Sequence, residues 1–145
     1  MHFDEVLSDL ILSQKVNIQD VSYATGIDDS VFYDYLNGSV PSVKYAVELS
    51  MYFECSLDYL MGIDETLNSY KYTTDYNISL FPNRYENLLK ENNVTHYKVC
   101  KETGLSYSGY FNWKKGAIPS MLSLKKIAKY FNVSLDYLVG RTNFY

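Results

Sequence analysis

Cysteine and histidine are scarce in this chain, two of each among 145 residues, and each scarcity closes a class of chemistry. Cys55 and Cys100 form neither a CxxC pair nor a metal-ligand spacing. A disulfide framework therefore has no support, and both read as small buried hydrophobes in a reducing compartment. His2 and His96 are too few and too separated for a catalytic triad or a zinc site. No P-loop, GxGxxG or HExxH run occurs, and acidic pairs such as Asp28-Asp29 lack a partner base. The expectation is a protein that is not an enzyme and holds no metal or cofactor. Also missing is any apolar stretch near the roughly 18 to 20 residues of a membrane span. The start Met1-His2-Phe3-Asp4-Glu5 lacks the basic region and apolar run of a signal peptide. A cytoplasmic location without a membrane partner is the corresponding expectation.

What the chain has is internal repetition. Its length suits one domain or two of the smallest self-folding kind, about 60 residues each. Apolar residues at 47% supply cores, and charged residues at 21% are ordinary for a globular protein. With Gly26 placed over Gly104, the register runs without a gap from Val16/Val94 to Gly62/Gly140, and 16 of those 47 pairs are identical. Pro41-Ser42 meets Pro119-Ser120, and Ser56-Leu57-Asp58-Tyr59-Leu60 meets Ser134-Leu135-Asp136-Tyr137-Leu138. Phe3/Phe81 and Leu10/Leu88 extend the match upstream. An ordered set of this kind is a duplication. Between the copies lie residues 64–79, rich in Asn, Ser, Thr and Tyr and without a helical stripe, which read as a linker.

Each copy spells out five short helices. In the second, Tyr85, Leu88, Leu89 and Val94 give an amphipathic helix after Pro82, a residue suited to a helix start. Thr95 is a candidate N-cap for a helix ending at Gly104, where a left-handed residue is needed. Ser106 is expected to cap the next helix, which runs to about Lys115 and stops at Gly116. Pro119-Ser120 opens a fourth helix with Leu124, Ile127, Ala128 and Phe131 on one face, and Ser134 caps a last turn ended by Gly140. Asn17, Gly26, Asp28, Gly38, Ser42, Ser56 and Gly62 punctuate the first copy in the same way. Small residues at Ser22 and Cys100 permit a close helix crossing. Spacing alone leaves two readings open: a helix-turn-helix, or a five-helix bundle that uses this crossing only for packing.

The run Val94-Thr95-His96-Tyr97-Lys98-Val99-Cys100, the turn Thr103-Gly104-Leu105-Ser106, the stop Trp113-Lys114-Lys115-Gly116 and the closing Phe131-Asn132-Val133-Ser134-Leu135-Asp136-Tyr137-Leu138-Val139-Gly140 narrow that choice. Both copies resemble the lambda-repressor-like, XRE-type (Cro-type) helix-turn-helix family. The resemblance implies an all-α chain of two tandem five-helix domains, 1–63 and 80–145, joined by the linker 64–79. Two positions depart from the family. Its usual Gln at the start of the second helix is Ile18 or His96 here, so the customary phosphate contact there does not carry over directly. Its Arg–Glu pair is replaced by Ile11 with Leu36, and by Leu89 with Lys114.

Charge separates the copies. Residues 1–66 hold two lysines against twelve acids, a net −10, whereas residues 67–145 hold eleven Lys/Arg against five acids, a net +6. Phosphate neutralisation underlies DNA affinity, so the second copy is the expected binder of double-stranded DNA. The resemblance places Tyr107, Ser108 and Asn112 toward the bases. Asn can pair bidentately with adenine, Ser can serve several bases, and Tyr107 can meet a thymine methyl or a sugar. Lys114 and Lys115 leave this helix where phosphates should pass, with Lys98 and Lys101 adding field. Ser120 at one helix start, and Thr95 and His96 at another, mark anion sites. Ser106 completes the set. Trp113 reads as core. In the first copy the equivalent face carries Asp28, Asp29, Ser30 and Asp34, whose three carboxylates repel phosphate. That copy is expected to have lost ordinary DNA binding and to serve dimerisation or a protein partner.

The functional expectation is a sequence-specific transcription regulator, repressor type. Two alternatives stand beside it. One is a protein-interaction module of antitoxin or anti-repressor kind with secondary DNA contact, and the other is a covalent pseudo-dimer with both copies on DNA.

Overall fold

The computed structural model describes residues 2–64 and 75–145, and among them the secondary structure is entirely helical. No helix among the described residues is long and apolar enough to cross a membrane. The chain divides into two compact units, 1–74 and 75–145. Most of the expected linker, residues 65–74, lies outside the described residues. Its last residues are tied to the second unit. Asn77 N–H donates to the Val139 carbonyl at 2.8 Å, and Ile78–Leu80 forms a 3-10 turn leading into the next helix.

The first unit contains α1 (Phe3–Ser13), α2 (Ile18–Thr25), α3 (Asp29–Leu36), α4 (Val43–Tyr52) and α5 (Leu57–Leu60). Local chemistry sets their limits. The Asn17 side chain accepts from Asp20 N–H while the Asp20 carboxylate accepts from Asn17 N–H, closing a capping box that starts α2. Asp28, Ser42 and Ser56 cap α3, α4 and α5. Helix α1 packs on α3 and α5, and α2 on α3 and α4, enclosing Leu7, Phe32, Leu49 and Leu57, all fully buried.

The second unit contains α6 (Phe81–Glu91), α7 (His96–Thr103), α8 (Gly109–Lys114), α9 (Met121–Phe131) and α10 (Leu135–Leu138). Thr95, Ser120 and Ser134 cap α7, α9 and α10 through their hydroxyls. Pro82 sits in the first turn of α6. The core is aromatic: the buried Tyr85 ring meets Phe81, Tyr110, Trp113 and Phe131 at centroid distances of 5.4 to 6.3 Å. Such pairs add about 0.5–1.5 kcal/mol each beyond the area they bury. Phe131, expected on the buried face of its helix, is only half-buried. Two arginines secure the C-terminal end. Arg84 donates to the carbonyls of Tyr137 and Thr142, and Arg141 forms a buried ion pair with Asp136 at 3.0 Å.

One boundary differs from expectation. Ser106 does not cap α8; the helix starts three residues later, at Gly109, without a side-chain cap. A start at Tyr107 would require its carbonyl to accept from Phe111 N–H. Instead that carbonyl faces His96 Nε2 at 3.0 Å, and Phe111 N–H donates to the Ser108 carbonyl. Gly109, a weak helix former, offers no resistance to this shift. The Ser106 and Ser108 hydroxyls bond each other at 3.1 Å.

Two glycines give a test of the second unit. Gly104 (φ +79°) and Gly140 (φ +83°) both lie in the left-handed region. A Cβ at 104 would meet only the tip of Lys126, at 3.8 Å, whereas one at 140 would collide with the Asn77 backbone. Gly104→Ala should therefore cost about 1–2 kcal/mol, from backbone strain alone. Gly140→Ala should cost about 3 kcal/mol or more, because a backbone neighbour must also move. Urea unfolding followed by the fluorescence of Trp113, the only tryptophan, reads both values in the second unit. Equal costs would refute the docking of Asn77 against α10.

Candidate nucleic-acid interface

Helix α8 is short, and two large side chains set its rotational phase. Tyr110 and Trp113, three residues apart, are buried against α6, so Phe111, Asn112, Lys114 and Lys115 face outward. Trp113 is thus a core residue, with its ring 5.2 Å from Phe81 and 5.9 Å from Tyr85. The turn ahead of the helix presents Ser106, Tyr107 and Ser108, all exposed. Behind it, Lys114 holds its Nζ 4.2 Å above the Tyr110 ring, and Lys115 is exposed. At the start of α9, Ser120 Oγ accepts from Ser123 N–H at 3.1 Å and is exposed. The exposed Thr95 hydroxyl accepts from Lys98 N–H at the start of α7. Eight of the nine expected contact residues therefore lie on the surface of the second unit.

His96 is the exception. It is buried, with Nδ1 2.6 Å from the Tyr85 hydroxyl and Nε2 3.0 Å from the Tyr107 carbonyl. A carbonyl can only accept, so Nε2 carries the proton and Nδ1 accepts from Tyr85 O–H. Both ring nitrogens are spent inside the protein, leaving neither for an anion. The place of His96 is structural: it joins α6, α7 and the turn before α8. Burial pushes the Tyr85 hydroxyl pKa upward, which keeps it a donor at neutral pH. Burial likewise raises the Cys100 thiol, whose sulfur lies 3.3 Å from His96 Nε2. A thiol held protonated in this way is a poor nucleophile.

The cations differ in availability. Lys98 lies 4.0 Å from Glu102 in an exposed ion pair, which offsets part of its charge. Burial, with help from Lys129, lowers the pKa of Lys125. Lys101, Lys114 and Lys115 are exposed. Sequence reasoning missed two further exposed residues, Tyr97 on α7 and Phe111 on α8. The spacing of Phe111, four residues beyond Tyr107 and next to the chosen Asn112, was the available signal.

On the matching face of the first unit, Asp28, Asp29 and Asp34 are exposed. The backbone N–H of Ser30, and then its hydroxyl, hold the Asp28 carboxyl below the usual range, so it is ionised at neutral pH. That face is anionic where α8 has neutral and cationic groups.

Residues 86–138, from within α6 to the end of α10, match a family model described as helix-turn-helix. No curated protein and no solved structure matches the chain.

The Tyr85–His96 bond yields a double-mutant test. His96→Ile, which copies the residue at the matching position 18, leaves the buried Tyr85 hydroxyl without its acceptor and should cost about 1–3 kcal/mol. Combining it with Tyr85→Phe removes both partners, so the double variant should lose about 1 kcal/mol less than the sum of the singles. Chemical denaturation of the four proteins measures this coupling. Strict additivity would mean the two groups do not interact.

Proposed function

We propose that this chain is a sequence-specific DNA-binding transcription regulator of repressor type, made of two tandem helix-turn-helix units of lambda-repressor-like kind. The observation that carries the reading is the outward face of α8. Asn112 is exposed there and Tyr107 and Ser108 in the turn ahead of it, Lys114 and Lys115 follow at the helix end, and the Ser120-capped start of α9 is exposed beyond. The helix-turn-helix match over 86–138 covers the same elements. An α-helix fits the major groove, where Asn112 can pair with adenine N6 and N7 and Ser108 can adapt to several bases. Lys114 and Lys115 then meet the flanking phosphates, and Ser120 with the first N–H groups of α9 receives another. Thr95 serves the same role at α7, while His96 supports the turn from within. The work is binding rather than catalysis.

The first unit is the partner of this reader, not a second reader. Its net −10 over residues 1–66 opposes the approach of phosphate, and two lysines cannot offset it. We assign it to self-association or to a protein partner. A second reading, an antitoxin-like or anti-repressor-like interaction module, draws on the same anionic face together with the exposed Leu12, Tyr23 and Tyr33.

Salt titration of DNA binding decides between them. Affinity should fall with rising salt, and Lys114→Ala/Lys115→Ala should reduce the log–log slope by about 1–2 units, because each lost phosphate contact releases about 0.9 fewer counterions. An unchanged slope would remove α8 from the interface. Absence of duplex binding even at low salt would favour the interaction module.

A further inference from the structure

We infer that Tyr107 and Phe111, supported by Tyr97, form an apolar contact that selects thymine methyl groups in the bound DNA. This inference rests on the duplex-binding reading above and names what that surface recognises. The three side chains are 52%, 46% and 63% exposed, respectively. They also form one continuous surface, with the Tyr107 ring 5.6 Å from Phe111 and 6.3 Å from Tyr97. Single exposed apolar residues are ordinary, but a connected group of rings on a small unit marks a contact. Phe111 has no polar atom to justify its exposure.

Charge and geometry choose the occupant. Lys101 on α7 and Lys114 and Lys115 at the end of α8 are exposed on the helices that carry Tyr97 and Phe111, so the partner should be a polyanion with apolar points. A nucleic acid offers these in two forms, the faces of unpaired bases or the thymine 5-methyl in a duplex major groove. A stacking platform for successive bases needs open ring faces. Here the neighbouring rings stand at 71° and 64° to each other, so each contact sets one ring's edge against the next one's face. What they present outward suits a methyl group better than a stacked base. Asn112, adjacent to Phe111, supplies the complementary half: in an A·T pair the adenine offers N6 and N7 while its thymine offers the methyl. The polar and aromatic side chains of α8 and the turn before it thus read both members of the pair.

The test uses the full chain and duplexes selected from a random pool. The best-bound duplex is resynthesised with deoxyuridine in place of thymidine, which deletes only the methyl groups, and affinities are compared at fixed salt. The wild type should lose about fourfold for each contacted methyl, the equivalent of one buried methyl or methylene. Phe111→Ser, at an exposed position, should bind both duplexes alike while keeping the wild-type salt slope, and Phe111→Leu should retain the preference. A wild-type ratio near one overturns the inference while duplex binding stands. So does a thymidine preference that survives in both Phe111→Ser and Tyr107→Ser, or tighter binding to single strands than to duplex. Failure to select any duplex overturns the reading beneath it.

Discussion

A buried hydroxyl, an imidazole and a backbone carbonyl form one line through the second unit, from Tyr85 to His96 to Tyr107. Each link constrains the next. The Tyr107 carbonyl can only accept, so His96 Nε2 donates to it, and Nδ1 of the neutral ring is left to accept from Tyr85 O–H. Donation from Nε2 fixes the Tyr107 carbonyl on the inside of the turn, while Phe111 N–H donates to the Ser108 carbonyl. An exposed turn thus precedes α8, and the residues offered outward come partly from that turn and partly from the helix. In the first unit the matching residue is Ile18, with no donor, and α3 runs eight residues behind an Asp28 cap. The six-residue α8 follows the turn that His96 holds, whereas the eight-residue α3 follows directly on its side-chain cap.

This explains what was legible in the sequence. Capping residues act on N–H groups two or three positions away, so Asn17, Ser42, Ser56, Thr95, Ser120 and Ser134 could be assigned from local pattern, and each caps its helix. The left-handed glycines 26, 104 and 140 belong to the same local class. Ser106 had the right residue type in the right place and still does not cap; its hydroxyl bonds that of Ser108, in a turn whose Tyr107 carbonyl is held by a tertiary bond to His96. The same bond removed His96 from the anion contacts, since a histidine at a helix N-terminus can turn inward as readily as outward. Phe111 escaped notice for another reason. Aromatic residues default to the core, and only the burial of both Tyr110 and Trp113 places 111 outside.

The two units carry helices in the same order, with side-chain caps at matching positions for all but α1, α6 and the α3/α8 pair, yet their net charges are opposite. Identical pairs such as Val21/Val99, Leu57/Leu135 and Leu60/Leu138 are fully buried in both. Their packing constrains shape and volume and is indifferent to the charge outside. Net charge can then drift from −10 in one half to +6 in the other without disturbing either interior. What charge does alter is the free energy of bringing each unit to a polyanion. A phosphate contact at Lys114 and Lys115 would be favoured by counterion release, and one near Asp28, Asp29 and Asp34 would be opposed by their carboxylates.

The phase of the exposed helix ties these points together. In α8 the buried pair is Tyr110 and Trp113, and in α3 it is Phe32 and Tyr35, so each helix anchors through residues three apart and presents the two between them. Those presented residues are Phe111 and Asn112 in one unit, Tyr33 and Asp34 in the other. A helix of six residues has little stability of its own and takes both its existence and its orientation from such anchors. Once the anchors set the phase, a change at the two presented positions alters recognition at almost no cost to folding. Replacing Asn112 by an acid would add a negative charge to that face, yet disturb no core neighbour. The difference in charge between the halves therefore requires no difference in architecture, only different residues on a face that the core has already aimed outward.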